Sequence, residues 1–290
     1  MIPDVDNDSL CYLNGDYLRL GDAKVSVLDR GFIYGDGIYD VVPAYEGRPF
    51  RQDHHLARLE RSLAAIHIRQ TLTRAEWETV VQRLLEPFGG RDAAVYLQVT
   101  RGVYKRDHAF PPASVQPTVF AMAYPFKRPT PEMRENGQAV ITIPDVRWQL
   151  CDIKSISLLG NLLAKQRAVE AGVDEVIQFR DGVMTEGASC NIWLVKNNTL
   201  MAPPRSHHIL EGIRYGFMEE LARDAGIAFQ ARELRQEDVE QADELMLTSA
   251  TREVLPITRV NGQPVGQGTP GPVYRALRAG YDAAIQKLSA

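Results

Sequence analysis

Long apolar runs are missing from this chain. No stretch reaches the roughly 18 uninterrupted apolar residues that a membrane-spanning helix requires, so no helical membrane anchor is expected. The opening residues, Met1-Ile2-Pro3-Asp4-Val5-Asp6-Asn7-Asp8, are acidic, unlike the basic start and apolar stretch of a secretion signal. Cysteine is scarce: Cys11, Cys151 and Cys190 are odd in number and widely spaced. They match neither a disulfide framework nor a CxxC metal site, and fit reduced thiols in a cytoplasm. Metal ligation has no other support, because His54-His55 and His207-His208 are adjacent pairs whose side chains diverge in a helix or strand. No carboxylate or cysteine stands at ligand spacing from them. Neither GxGxxG nor GxxxxGK[ST] occurs, which removes the dinucleotide and P-loop readings. An excess of one charge is absent too. With 33 Lys and Arg against 37 Asp and Glu, the net charge is −4, giving no reason to expect nucleic acid or an anionic membrane as partner.

What remains is an ordinary globular composition, 44% apolar and 24% charged over 290 residues, enough for two domains or one large one. Residues 12–52 read as short strands broken by turns, with Asn14-Gly15 and Glu46-Gly47 as turn pairs. Asp53 can cap a helix whose buried face is Leu56, Leu59, Leu63 and Ile66. Arg74 to Phe88 reads as a second helix. Val95, Leu97 and Val99 alternate with Tyr96, Gln98 and Thr100 as a half-buried strand, and Thr118 to Tyr124 is another.

The segment Pro125-Phe126-Lys127-Arg128-Pro129-Thr130-Pro131 marks a linker at 125–131 between a small N-terminal α/β domain, 1–124, and a larger C-terminal one, 132–290. In the second half, strands are expected at 139–143, 175–179, 191–195 and 244–248. Helices are expected over 157–171, closed by Gly172, over about 212–225, and from about Pro272. No internal repeat and no low-complexity segment occurs. The fold class is mixed α/β.

Two residues carry the chemistry. Lys154, in Cys151-Asp152-Ile153-Lys154-Ser155, offers an amine that can form a Schiff base with an aldehyde cofactor. Glu186, in Met184-Thr185-Glu186-Gly187, offers a carboxylate that can hold a pyridinium nitrogen positive. Small residues after Glu186 would let a flat ring approach the backbone. Lys154 is expected between a loop and a helix start, where the positive end of the dipole favours the neutral amine. Arg58 has the planar fork that suits a phosphate, but with Arg61 a turn further along the local pattern favours a solvated basic face. Glu211-Gly212-Ile213-Arg214 opens a helix with free N–H groups, and Thr248-Ser249-Ala250-Thr251 follows a strand with further small donors. Arg106 and His108, two apart on an extended segment, point the same way and can grip one carboxylate.

These pieces stand in a recognisable order. The run Lys24-Val25-Ser26-Val27-Leu28-Asp29-Arg30-Gly31-Phe32-Ile33-Tyr34-Gly35-Asp36-Gly37-Ile38-Tyr39 closely resembles the N-terminal motif of fold-type IV pyridoxal 5′-phosphate (PLP) aminotransferases. His55-Leu56-Ala57-Arg58-Leu59 resembles that family's phosphate-arginine helix. Asp152-Ile153-Lys154-Ser155 with Asn161-Leu162-Leu163-Ala164-Lys165 resembles its lysine segment. Thr185-Glu186-Gly187-Ala188-Ser189-Cys190-Asn191 is similar to its ring-nitrogen motif. The resemblance implies a two-domain enzyme with PLP in the cleft between domains. It implies Lys154 as the cofactor-binding and catalytic lysine, Glu186 on the ring nitrogen, and Arg58, Ile213, Arg214, Ser249 and Ala250 around the phosphate.

Tyr39 with Arg106 and His108 resembles the carboxylate trap of the D-amino-acid aminotransferases, in which the Arg–His pair reaches across a homodimer. This implies ping-pong exchange between a D-alanine-like amino acid and a 2-oxo acid such as 2-oxoglutarate or pyruvate. A branched-chain L-amino-acid aminotransferase, an (R)-selective amine transaminase and aminodeoxychorismate lyase share parts of the pattern, but the Arg106-x-His108 pair argues against them. A non-enzymatic binding protein would not need Lys154, Glu186 and a phosphate site together. Two positions depart from the family: Arg214 stands where threonine is usual, and Ala250 where a hydroxyl residue is common. Arg214 is therefore expected either to bind phosphate or to face away while backbone amides suffice.

Overall fold

The alternating run at Val95, Leu97 and Val99 becomes an inner strand of an antiparallel sheet, with all three side chains fully buried. In the computed structural model, which describes residues 6–289, the chain forms two units. One comprises the chain up to Lys127 together with the short segment Ile153–Ser157. The other comprises Arg128–Asp152 and Leu158–Leu288.

The first unit runs β1 (Leu10–Leu13), β2 (Asp16–Arg19), α1 (Arg30–Tyr34), β3 (Gly37–Tyr45), β4 (Arg48–Pro49), α2 (Gln52–Ala65), α3 (Arg74–Leu85), β5 (Ala93–Thr100) and β6 (Thr118–Pro125). Its sheet order is β2-β1-β6-β5-β3-β4, every neighbouring pair antiparallel. Leu56, Leu59 and Leu63 of α2 join Trp77, Val80 and Leu84 of α3 in a core shared with Val42, Val95, Leu97 and Val99. Each such leucine contributes about 2 kcal/mol through burial of apolar surface.

Three local expectations change. Arg51, in the left-handed region at φ 56°, takes the cap position of α2 and leaves Asp53 in its first turn. The helix expected to run to Phe88 ends at Leu85 and tightens into a 3-10 turn over Glu86–Phe88, where Pro87 has no N–H to give. Within the region read as short strands broken by turns, Arg30–Tyr34 is a short helix whose N-cap Asp29 accepts from the Gly31 amide at 2.8 Å.

The second unit runs α4 (Pro131–Asn136), β7 (Gln138–Pro144), α5 (Leu159–Glu170), β8 (Glu175–Arg180), β9 (Val183–Met184), β10 (Asn191–Lys196), β11 (Thr199–Ala202), α6 (Ile213–Asp224), β12 (Ala228–Ala231), α7 (Gln236–Glu240), β13 (Glu244–Ser249), β14 (Glu253–Val260), β15 (Gln263–Pro264) and α8 (Pro272–Ser289). Its mixed sheet has the order β12-β11-β10-β13-β14-β7-β8-β9, with β15 on β14. The β7–β8, β7–β14 and β11–β12 pairs are parallel. Ile177, Ile192, Leu194, Leu245, Leu247 and Leu255 fill its core. β14 goes unannounced by its residues, since Pro256 interrupts the run. The strand tolerates it because the ladder to β7 begins only at Ile257. Among the described residues no helix is long and apolar enough to cross a membrane.

Candidate active site

In the first unit, Lys154 lies beside the opening of β3. The Tyr39 amide donates to the Lys154 carbonyl at 3.0 Å, and the Ile156 amide donates to the Gly37 carbonyl at 3.1 Å. Ser62 of α2 accepts from the Lys154 amide at 3.3 Å. These contacts fix the backbone on both sides of the lysine and leave its amine over the Tyr39 ring, 4.2 Å from the centroid. Among the described residues no carboxylate pairs with that amine. The helix α5 begins only at Leu159, and a helix dipole acts within about one turn. Lys154 thus lies outside the first turn of that helix.

Arg58 is not a solvated basic side chain. It is 5% exposed, and its Nε and Nη2 donate to the two oxygens of Asp40 at 2.8 Å each. His55 Nδ1 lies 2.7 Å from the same carboxylate. Burial alone would raise the Asp40 carboxyl, but Arg58 and His55 outweigh it and hold it far below the carboxylate range. Arg58 is thus pinned by a bidentate pair one residue after Tyr39 on β3.

Arg106 and His108 stand exposed on the loop between β5 and β6. Both meet Tyr34: the Arg106 guanidinium is 5.6 Å from its ring centroid, and the His108 ring is 5.5 Å away. Among the described residues, neither hydrogen-bonds nor stacks with Tyr39, whose ring instead stacks on Tyr96 at 5.6 Å.

In the second unit, Glu186 is 6% exposed and held on several sides. Arg147 donates to its Oε1, while the Asn191 side-chain amide and the Leu210 backbone amide donate to Oε2 at 3.2 and 3.1 Å. Arg147 is itself gripped by Asp145, at 2.9 and 2.7 Å. Burial pushes the Asp145 carboxyl up, yet Arg147 outweighs this and holds it at about 2. Burial opposes the Arg147 charge in turn, and Asp145 and Glu186 keep the guanidinium firmly protonated. Arg147 and Asp145 escaped the sequence reading. The only signal was a charged pair following the expected strand at 139–143.

Asn191 extends this arrangement to α6, because its amide also donates to the Leu210 carbonyl at 2.8 Å. Gly212 caps α6 without a side chain, and a Cβ there would lie 2.2 Å from Asn191 Oδ1. The first amides of that helix, at Ile213 and Arg214, have no intrahelical acceptor. The Arg214 side chain turns away into the unit. It is 2% exposed, with Nε donating to the Tyr281 hydroxyl at 2.9 Å and Nη2 to the Ala250 carbonyl at 3.1 Å. The Ser249 hydroxyl accepts from the Arg252 amide at 3.1 Å, closing the turn that carries Ala250. Arg252 reaches Glu175 at 2.6 Å, and Glu175 accepts from the Ala188 amide at 3.1 Å. The turn after β13 and the loop after Glu186 are therefore tied together, a link the sequence reading also missed. A Cβ on Gly187 would lie 2.4 Å from Cys190 Sγ, so this loop takes no larger residue beside Glu186.

Residues 37–260 match the family model described as amino-transferase class IV. The chain belongs to the class IV aminotransferases. It is 38% identical over 278 residues to the D-alanine aminotransferase of Staphylococcus haemolyticus, covering 96% of this chain and 98% of that one. It is 37% identical to the D-alanine aminotransferase of Bacillus licheniformis, covering 94% and 95%. Among solved structures, the Escherichia coli branched-chain amino acid aminotransferase is similar with a TM-score of 0.89 at 25% identity, covering 95% of this chain and 94% of that one. A second branched-chain amino acid aminotransferase, solved with pyridoxamine 5'-phosphate, is similar with a TM-score of 0.89 at 26% identity, covering 96% and 94%. The branched-chain aminotransferase of the thermophilic archaeon Thermoproteus uzoniensis, solved with norvaline, has a TM-score of 0.86 at 25% identity, covering 96% and 95%.

The chain is therefore an aminotransferase whose cofactor is pyridoxal 5′-phosphate. Its residues fit that group. A lysine amine that pairs with no carboxylate among the described residues, a buried carboxylate held by Arg147, Asn191 and the Leu210 amide, and a helix start with open amides are the donor set that an aldehyde, a pyridine nitrogen and a phosphate require.

Proposed function

We propose that the enzyme exchanges amino groups between D-amino acids and 2-oxo acids, with a D-alanine-like donor and 2-oxoglutarate or pyruvate as acceptor. The observation that carries this reading is the exposed Arg106–His108 pair presented around one tyrosine ring. The full-length similarity to D-alanine aminotransferases supports it. When bound, pyridoxal 5′-phosphate supplies an electron sink that makes the substrate Cα–H acidic.

Lys154 anchors that group by its amine and then serves as the base that moves a proton at the substrate Cα. Glu186 keeps negative charge against the ring nitrogen and holds a proton there. Arg147 donates to Glu186 in its buried setting and offsets the carboxylate's charge there. The amides of Ile213 and Arg214, with Arg58 and the Ser249–Ala250 turn, hold the phosphate. Because the Arg214 side chain is engaged by Tyr281 and the Ala250 carbonyl, its backbone amide takes that part. Tyr39, Arg106 and His108 orient the substrate carboxylate, which decides the enantiomer whose Cα–H faces Lys154.

Arg106 and His108 are assigned to the site of a partner subunit in a homodimer. Their separation from Tyr39 within one chain supports this, as do the exposed apolar side chains Val27, Phe32, Val103 and Phe110 on the same unit, at 71%, 73%, 44% and 58%. The three buried free thiols suit a cytoplasmic protein. Residues 1–124 and 132–290 are taken as its two domains along the chain, joined at 125–131, except that Ile153–Ser157 is counted with the first.

The similarity to branched-chain enzymes favours a second reading, L-branched-chain transamination. A paired assay separates them, with 2-oxoglutarate as acceptor and either D-alanine or L-leucine as donor. Turnover with D-alanine and not L-leucine is expected. The reverse pattern would move the enzyme to the second reading and strip Arg106 and His108 of their role.

A further inference from the structure

Arg30 sits in the middle of the N-terminal motif and has no part in the chemistry assigned to the other residues. Its side chain is almost fully buried, which for a guanidinium demands partners. Nε donates to Asp36 at 2.7 Å, which offsets part of the charge. Nη1 donates to the Asp107 carbonyl at 2.5 Å and to the Ala109 carbonyl at 3.4 Å. Asp107 lies between Arg106 and His108, so a buried cation grips the peptide that joins the two exposed residues.

The same loop is fixed at its other points. The Arg30 amide donates to the Gly102 carbonyl at 2.9 Å, and the Tyr104 amide to the Leu28 carbonyl at 3.3 Å. Arg101 also donates to Asp36, at 2.8 and 2.9 Å, sharing Oδ2 with Arg30, and lies over the Phe110 ring at 3.7 Å. Burial works against the Asp36 charge, but Arg101 and Arg30 outweigh it and hold that carboxyl below its ordinary value. Arg30 also faces the Tyr34 ring at 4.9 Å, the ring that Arg106 and His108 share. Residues 104–110 form no helix or strand, so these contacts supply the order that a loop lacks in its own backbone.

We propose that Arg30 is a positioning residue: through the carbonyls of Asp107 and Ala109 it fixes where Arg106 and His108 point, and thereby the enzyme's affinity for carboxylate-bearing substrates. The inference rests on the reading of Arg106 and His108 as the carboxylate grip. A misplacement of about 1 Å in such a group costs on the order of 100-fold in kcat/KM.

The test is a double-mutant cycle on the PLP-loaded enzyme with Arg30→Met, Arg106→Met and both together. KM and kcat for D-alanine are measured alongside PLP affinity by absorbance titration. Arg30→Met is expected to raise KM at least about tenfold with kcat and PLP affinity little changed. It should add almost nothing in the Arg106→Met background, because the two act through one grip. A KM unchanged in Arg30→Met, or the same fold-effect in both backgrounds, overturns the inference. If Arg106→Met itself leaves KM unchanged, the carboxylate-grip reading fails, whatever Arg30 does. Should Arg30→Met not fold, Arg30→Lys keeps the charge beside Asp36 but loses the fork to the carbonyls, so it should show the same KM rise at wild-type melting temperature. A wild-type KM in that variant overturns the inference equally.

Discussion

Glu186 and the Arg106–His108 pair are both assigned to charged partners, and the protein supports them in opposite ways. Glu186 is buried, and its carboxylate itself is held by Arg147, Asn191 and Leu210. Arg106 and His108 are exposed, and what is held is the backbone between them. A group whose charge must persist through a reaction gains from fixed dipoles around its own atoms. A group that must receive and release a substrate has to keep its hydrogen-bonding atoms open, so order is imposed one step back, on the peptide. Buried arginines do both jobs, Arg147 by pairing with the functional carboxylate and Arg30 by gripping carbonyls.

The contrast breaks most strongly at Glu186. Glu186→Gln removes the charge but keeps the shape, and kcat should fall by about 100-fold or more while KM for D-alanine changes little. A KM effect without a kcat effect would place Glu186 among the substrate-binding groups and erase the distinction. A second break is Arg147→Met, which removes the buried cation shared by Glu186 and Asp145 and leaves Asp145 with Arg180 at 3.2 Å. Loss of one partner from such a pair costs about 3–5 kcal/mol, and urea unfolding should register it. A loss below about 1 kcal/mol would mean that solvent already screens the cluster.

The smallest effect sharpens the comparison through acid. Asp145 has its carboxyl lowered from 3.8 to about 2 in the folded chain. A lowered carboxyl stabilises the fold fully above its unfolded value, and the contribution disappears as pH falls from about 4 through about 2. It is on the order of 2 kcal/mol. Asp145→Asn should therefore be less stable than wild type near neutrality, with the gap closing through that window. A constant gap across it would assign the cost to packing instead of charge.

How far these features could be read from the residues depends on whether they are local. Lys154, Glu186 and the leucine face of α2 are visible because motif and periodicity act over a few neighbours. Arg58 looked solvated because its partner Asp40 lies on β3, and no local pattern announces a pair formed across the fold. Arg147, Arg30 and Arg252 were invisible for the same reason, their meaning residing in distant carboxylates and carbonyls. Helix α1 was missed because five residues leave too short a run for periodicity, and β14 because Pro256 stands within it. The start of α5 slipped from 157 to Leu159 because the Ser157 hydroxyl donates to the Gly35 carbonyl at 2.9 Å, and no side chain caps the helix at Leu158.

Lys154 has one more consequence, for anyone who wants to divide this chain. The five residues Ile153–Ser157 belong to the first unit, while their neighbours on both sides in sequence belong to the second. No single cut yields either unit whole. A fragment ending at Lys127 lacks the strip that lies along β3, and a fragment beginning at Arg128 carries the reactive lysine away from the tyrosine and serine that seat it. The lysine assigned the catalytic role acts as a stitch in the covalent chain, so on that reading activity and the integrity of both units are inherited together or lost together.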